Sequence, residues 1–499
     1  MGTPLSLLGA AALAGAIFLI LPTETTGAAA PVNVATALTR AQAPDGKYIS
    51  WREHRVDDEA LGGVDIRGGD GLKIADLDKD GYADIVSVHE ADTEYDGVLH
   101  GHIRIAFGTK SPDRWVLKTL AQGPEAAAAE DVTVADIDGD GYLDVVAAVE
   151  LAHLIYFQNP GRGARTQTWK RVIPPVVDHR GSYIRVFAAD LDGDGKPEIV
   201  AANKAAQAPK VTQPPSAISW FKIAGPPLDG ASWVEHELAK VVWPINSQPV
   251  DLDRDGDIDV IGGSVAEGRI MLFENMGKSA SPLFRERPIT ISGTSVFGDD
   301  RPADRRGDTR ALISGFNMEF TDLNGDGRLD IVTWEFTRLV GRSIVWLEQP
   351  ASLDGVWKLH PIGDYAPDLA VGIAVGDIDG DGLMDVMTGG YSFGPRDKDT
   401  DLTPTAISGR LAWFRNPGVA ANPAAAWTRH DISRRRRGMY DQFVPRDMDG
   451  DGDLDFATTR GNSLTYDGVL WLEQVRTRAP APAFRQARKV DSPEVPLPN

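Results

Sequence analysis

Residues 136–144 read Asp-Ile-Asp-Gly-Asp-Gly-Tyr-Leu-Asp, and the β-prone run Val145-Val146-Ala147-Ala148 follows directly. Carboxylates at positions 1, 3 and 5 of such a stretch converge only if the backbone curls around a centre. The glycine at position 6 permits the positive φ that this curl needs. Position 7 then offers its carbonyl, and the acid at position 9 closes the cage. Six to eight hard oxygens in flexible geometry suit Ca2+, whereas Mg2+ demands a stricter octahedron. Zinc and copper prefer His or Cys, which the stretch lacks.

The same nine-residue pattern occurs seven times, starting at Asp76, Asp136, Asp190, Asp251, Asp322, Asp377 and Asp447. A motif at a nearly fixed period means one supersecondary unit repeated. The predicted metal ligands of the first copy are Asp76, Asp78, Asp80, the carbonyl of Tyr82, and Asp84. Those of the second are Asp136, Asp138, Asp140, Tyr142 and Asp144; of the third, Asp190, Asp192, Asp194, Lys196 and Glu198. The fourth supplies Asp251, Asp253, Asp255, Asp257 and Asp259, and the fifth Asp322, Asn324, Asp326, Arg328 and Asp330. The sixth supplies Asp377, Asp379, Asp381, Leu383 and Asp385, and the seventh Asp447, Asp449, Asp451, Asp453 and Asp455. Only Asn324 departs from a carboxylate at positions 1, 3, 5 and 9, and it too is an oxygen donor. Position 12 holds Ser87, Ala147, Ala201, Gly262, Thr333, Thr388 and Thr458, so the EF-hand, which needs an acid there, is excluded. Up to seven Ca2+ are therefore expected, one per loop.

Composition agrees. The 499 residues contain no cysteine and carry a net charge of −21. With no disulfide frame available, metal is the expected staple. Most of the acidity is ligand charge, and no basic face suited to nucleic acid is present. The run Arg434–Arg437 reads as a short exposed loop. Residues 1–29 resemble a signal peptide, with an apolar stretch from Leu5 to Leu21 and small residues after it. Residues 30–47 read as a linker, 48–475 as the repeat domain, and 476–499 as an extended, mobile Pro/Ala-rich tail. A secreted, periplasmic or cell-surface monomer with no lasting membrane span is expected.

Each period holds further strand signals: an aromatic strand such as His153–Gly161 or Arg410–Gly418, then a Trp-led alternating strand such as Trp169-Lys-Arg-Val or Trp427-Thr-Arg-His. With the strands on either side of the acidic loop, each unit has four short antiparallel strands, the make-up of a propeller blade. The last unit lacks its Trp-led strand, and Ser50–Val56, SWREHRV, supplies one at the start of the chain. The expected fold is all-β, a seven-bladed β-propeller whose N-terminal strand completes the last blade and removes open sheet edges. His54, His236, His360 and His430 recur in the Trp-led strands and are read as structural.

The acidic loops resemble the FG-GAP/VCBS repeat family, the calcium-loop propellers typified by integrin α-subunit heads. The aromatic Asn-Pro-Gly and Trp-x-x-His pattern is also similar to the propeller of aldos-2-ulose dehydratase-type enzymes. The first resemblance implies a calcium-binding propeller; the second implies sugar-eliminating chemistry.

Function is expected on the face opposite the acidic loops. His179, Arg180, Tyr183, Arg185, Arg310, Glu319, Tyr365 and Tyr440 are the ligand contacts singled out there. Arg forks grip carboxylates, and a His or Tyr base beside an Arg can abstract a proton α to one. The wider inventory of that face includes Glu90, Glu130, Glu150, Lys204, Trp243, Asn317, Tyr391 and Asp441. The expected function is a binding or scaffold module for a glycan or protein ligand; the alternative is a polysaccharide lyase or dehydratase. No P-loop, dinucleotide fingerprint, nucleophile elbow or zincin helix is present.

Overall fold

The computed structural model describes residues 31–91, 97–151, 153–279, 282–293, 312–336, 341–392 and 402–498. The expected signal peptide lies outside them, as does Arg310. Among the described residues the secondary structure is strand, apart from one helix, Glu59–Gly62, and short 3-10 turns. No described helix is long and apolar enough to cross a membrane.

The unit around the second acidic loop sets the pattern. Ala129–Ala135, Asp144–Val149, His153–Gln158 and Lys170–Val172 form an antiparallel meander, with the acidic loop joining the first two strands. The second strand, DVVAAV, is buried along its whole length, which explains why it reads as a continuous small and β-branched run rather than an alternation. Gly69–Ala75 to Val116–Gln122, Tyr183–Ala189 to Trp233–Val241, and Pro244–Val250 to Phe284–Pro288 are four-stranded sheets of the same order. The fifth and sixth units, from Glu319–Thr321 to Val356–Asp364 and from Ala370–Gly376 to Thr428–Arg435, are bridged by the pair Gly341–Ala370. These are antiparallel β-propeller sheets.

In the seventh unit, Phe443–Arg446, Asp455–Arg460 and Gly468–Thr477 are followed in space by the N-terminal strand Tyr48–Asp57. That strand runs antiparallel to Gly468–Thr477, with Trp51 opposite Gln474 and His54 opposite Trp471. A two-residue strand, Phe484–Arg485, adds in parallel outside it.

The core is divided among the interfaces between units. Ile103 and Phe107 pack with Val145 and Val149; Tyr156 with Val186 and Phe221; Val200 and Trp220 with Val260 and Met271. Ile261 and Leu272 pack with Ile331 and Val345; Trp334 and Trp346 with Val386 and Phe414; Met387 and Trp413 with Trp51, Phe456 and Leu472. Finally Val469 and Trp471, in the seventh unit, pack on Leu72 and Ile85 of the first.

The recurring histidines are structural, as expected. His54, His236 and His360 stack on Trp471, Trp220 and Trp346 with ring centroids 4.1, 4.0 and 4.4 Å apart, and His430 lies 4.5 Å from Trp413. The imidazoles of His54 and His360 also bond Glu473 and Glu348, each two residues beyond the tryptophan in its strand.

Three expectations are corrected. Residues 476–498 are docked rather than loose: Phe484 and Val495 are buried, and Asp491 bonds Arg460 at 2.8 and 3.0 Å. The run at Arg434 is no exposed loop either. Arg434 bonds both oxygens of Asp368 at 2.7 and 2.9 Å, and Arg435 those of Glu53. Residues distant in sequence supply the carboxylates that let these guanidinium groups be buried, a pairing that local sequence does not reveal. Residues 31–47, read as a linker, likewise place Val34, Ala35, Ala41 and Ala43 in buried positions.

Candidate functional site

The acidic loops share one geometry. The position-6 glycines have φ between 86° and 92° and donate their N–H to the position-1 carboxylate at 2.8–3.2 Å. The N–H of position 7 donates to the position-5 side chain at 2.8–3.0 Å, leaving its carbonyl for another partner. The position-9 acids are buried, and each accepts the N–H of position 2 at 2.8–3.3 Å. In the six aspartate copies position 9 also accepts an N–H from the end of the third strand. Among the described residues Glu198, one methylene longer, accepts only the first of these bonds. Burial, reinforced by the neighbouring aspartates, raises these carboxyls to about 7, and Asp385 to about 8.

These residues fit a hard divalent cation. One oxygen each from Asp76, Asp78 and Asp84 lies within 4.8 Å of the others, and the same holds for Asp136, Asp138 and Asp140. The buried Asp78 Oδ1, Asp136 Oδ1 and Asp251 Oδ1 have no hydrogen-bond partner among the described residues. Among the described residues a protein cation reaches the position-3 aspartate in three copies: Arg165 bonds Asp78, Lys222 bonds Asp192 and Arg415 bonds Asp379.

Side-chain amides tie four pairs of adjacent loops. Asn159 Nδ2 donates to Leu77 O of the first loop and Leu143 O of the second, both at 2.9 Å. Asn275, Gln349 and Gln474 repeat this reach to Leu191, Leu252 and Ile378. The Asn or Gln ending the aromatic strand is thus an inter-unit latch.

The opposite face holds the second candidate, a cavity of about 260 Å³. Its lining has a sequence rule. The residues six places before the seven loops are Asp70, Glu130, Ile184, Ile245, Phe316, Val371 and Asp441, and all seven line it. Convergence of one equivalent residue from every unit places the cavity on the axis of repetition. In units one, two, three, four and six the strand register shifts at this place. Such a bulge breaks the in–out alternation and re-aims a side chain. A second set, fourteen residues after each loop start, adds Glu90, Lys204, Val265 and Tyr391 to the lining.

The cavity has two halves. Asp441, Asp70, Glu130 and Glu90 form an acidic sector from units seven, one and two; Ile184, Ile245, Phe316, Val371 and Trp243 form an apolar sector. Lys204 sits at the boundary, ion-paired with Glu150. Below them Arg185 donates to Asp441 Oδ2 and Asn317 Oδ1, both at 3.0 Å, and its guanidinium lies 4.3 Å from the Phe316 ring centroid. A smaller space of about 100 Å³, lined by Lys73, Gln248 and Glu319 among others, lies beyond. Burial and mutual repulsion hold the Asp70 carboxyl well above its ordinary value. Burial raises Glu130 to about 7, against the pull of Lys204, and lowers Lys204 to about 8. Burial likewise raises Glu319 to about 7.

Of the contacts singled out from sequence, Arg185 and Glu319 meet at this axis. The other described contacts do not join them. His179 is exposed, with 84% of its side-chain surface open, and Arg180 pairs with Glu235 at 2.6 Å. Tyr183 packs in the core between units two and three. Tyr365 is buried and donates to Arg410 O at 2.8 Å, and Tyr440 is buried in the cluster around Trp413. Asp70 was missed by sequence reasoning, although its offset from the loop could have found it.

The FG-GAP-like repeat model matches residues 76–147, 136–201 and 322–388, segments built on these loops. The chain thus carries FG-GAP-like repeats, built into sheets of the β-propeller type. A comparison with curated proteins returned no match. Among solved structures, YCF48 from Cyanidioschyzon merolae aligns at 9% identity, covering 85% of this chain and 98% of that one, with a TM-score of 0.45. The β-propeller domain of Myceliophteria thermophila Cps50 (Swd1) aligns at 8% identity over 84% and 99%, with a TM-score of 0.44. BBS1N, in complex with ARL6DN, aligns at 10% identity over 86% and 98%, with a TM-score of 0.41.

Proposed function

We propose that this chain is a secreted, calcium-stapled propeller of seven blades, closed by its N-terminal strand, that binds a ligand in its axial cavity. The carrying observation is that one residue from every unit, at a constant offset from its acidic loop, lines the same cavity. A rim that was merely solvated would not gather three carboxyls on one side and four apolar side chains on the other. The acidic sector suits a cationic or donor-rich group, and the apolar sector suits a hydrophobic body. A small molecule, or the terminal group of a glycan or protein, meets both demands better than a broad protein surface does. The buried Glu130 and Lys204, a carboxyl and an amine lining the same cavity, favour a second reading in which it performs proton-transfer chemistry of the eliminating kind.

The test is a melting-shift screen of amines, amino sugars and oligosaccharides on the parent and on Ile184→Trp, which fills the cavity. Shifts seen in the parent and lost in Ile184→Trp support the cavity. Equal shifts in both proteins place binding elsewhere. An acidic-polysaccharide panel, followed by the ultraviolet absorbance of unsaturated products, tests the eliminating reading.

A further inference from the structure

We infer that Asp70, Glu90 and Glu130 form a divalent-cation site inside the axial cavity, separate from the acidic loops. One carboxylate oxygen of each lies within 4.8 Å of the other two. The three residues are only 3%, 4% and 7% exposed. An acidic cluster on a surface would mean little, but this one is enclosed and carries an independent sign of an absent partner. Asp70 lines the cavity, and its buried Oδ2 has no hydrogen-bond partner among the described residues. An uncompensated carboxylate in such a place is costly, and a coordinated ion removes that cost.

The backbone is built to produce the convergence. Asp70 and Glu130 occupy the bulged position of adjacent inner strands, and Glu90 stands just past the second strand of unit one. Of the nearby cations, Arg185 bonds Asp441, and Lys204 pairs with Glu150 while also attracting Glu130, Glu90 and Asp70. Three oxygen donors with no sulfur or imidazole select a hard ion such as Ca2+ or Mn2+. Three protein groups leave coordination positions open, the arrangement of a working rather than a purely structural metal site. Those positions face the cavity, where an oxygen of the bound molecule would complete the shell while its apolar part lies against Ile245 and Phe316. This last step rests on the reading of the cavity as the ligand site; the ion itself does not.

The experiment uses the full chain and Mn2+ alone as the probe. Crystals equilibrated with Mn2+ are expected to give an anomalous peak bounded by Asp70, Glu90 and Glu130. In solution, Glu130→Gln and Asp70→Asn are each expected to bind one Mn2+ fewer than the parent, by electron paramagnetic resonance titration, with unchanged occupancy of the loops. An unaltered count in both variants, or crystals with Mn2+ in the loops and none at the triad, overturns the site. If a variant does not fold, the anomalous map of the parent decides alone. Cavity-dependent melting shifts with no Mn2+ at the triad would remove the ion and leave the ligand reading intact. A Mn2+ peak with no cavity-dependent shift would do the reverse.

Discussion

Glu53, near the start of the chain, accepts the Nη1 and Nη2 protons of Arg435, 382 residues away, at 2.7 and 3.0 Å. Both side chains are fully buried. The pair ties the N-terminal strand to the outer strand of the sixth unit, so it bears on how the ends of the repeat array are held. Removing one partner of a buried pair leaves an uncompensated charge and costs about 3–5 kcal/mol. Glu53→Ala is therefore expected to lower unfolding free energy by about that amount, read by denaturant titration.

The same pair has a pH signature. Arg435 overcomes the burial of Glu53 and holds its carboxyl at about 2, below the usual 4.5. A depressed carboxyl stabilises the fold fully above its unfolded value and loses that contribution as pH falls toward the folded one. The stability gap between the parent and Glu53→Gln should stay constant above pH 4.5 and narrow between there and pH 2. A gap that holds constant through that window would contradict the assignment.

Metal removal addresses the loops. An ion that binds only the native state stabilises it in proportion to the logarithm of its free concentration over Kd. Chelator is expected to lower the melting temperature, and added Ca2+ to restore it. Gly141→Ala places a side chain at φ 90°, where L residues are strained, and should weaken Ca2+ binding at the second loop alone. A melt indifferent to chelator would remove calcium from the account of stability.

The inter-unit latch is testable at one position. Asn159 is 2% exposed, and its amide serves two carbonyls from adjacent loops. Asn159→Ala leaves Leu77 O and Leu143 O without that donor, which costs about 1–3 kcal/mol. Hydrogen exchange should quicken at the facing edges of the first two units, and a distributed effect over the whole chain would argue against a local latch.

Truncation before Pro482 tests the tail. It removes Asp491 from Arg460 and Glu494 from Ser433 and the Arg434 amide. Orphaning the buried Arg460 should reduce stability by about 3 kcal/mol or more. Proteolysis that trims the parent tail without changing its melt would show the contacts to be dispensable.

The repeat made the strand pattern and the acidic loops legible, because loop chemistry and strand chemistry alternate within each period. The pairing of Trp51 with Gln474 was legible for the same reason: one unit lacked a strand and the chain began with one. The cavity was harder to see because the residues six before each loop are chemically unlike, running from Asp70 to Phe316, so no shared motif marks them. His179 and Tyr365 carried suggestive chemistry yet landed on the rim and in the core. Side-chain type alone cannot distinguish an axial bulge from a neighbouring strand position. Arg434 and Arg435 misled for a different reason, since their partners Asp368, Glu53 and Asp491 come from the segment entering the sixth unit, the N-terminal strand and the tail.

Leu497 donates its backbone N–H to Val32 O at 2.9 Å, so these two residues lie side by side. A short glycine-serine bridge could splice them covalently. The resulting circular permutant, opened at the turn between Ile223 and Trp233, would start and finish within the third unit while keeping Tyr48–Asp57 beside Gly468–Thr477. Reporter domains grafted at that new break would sit away from both the axial cavity and the docked tail.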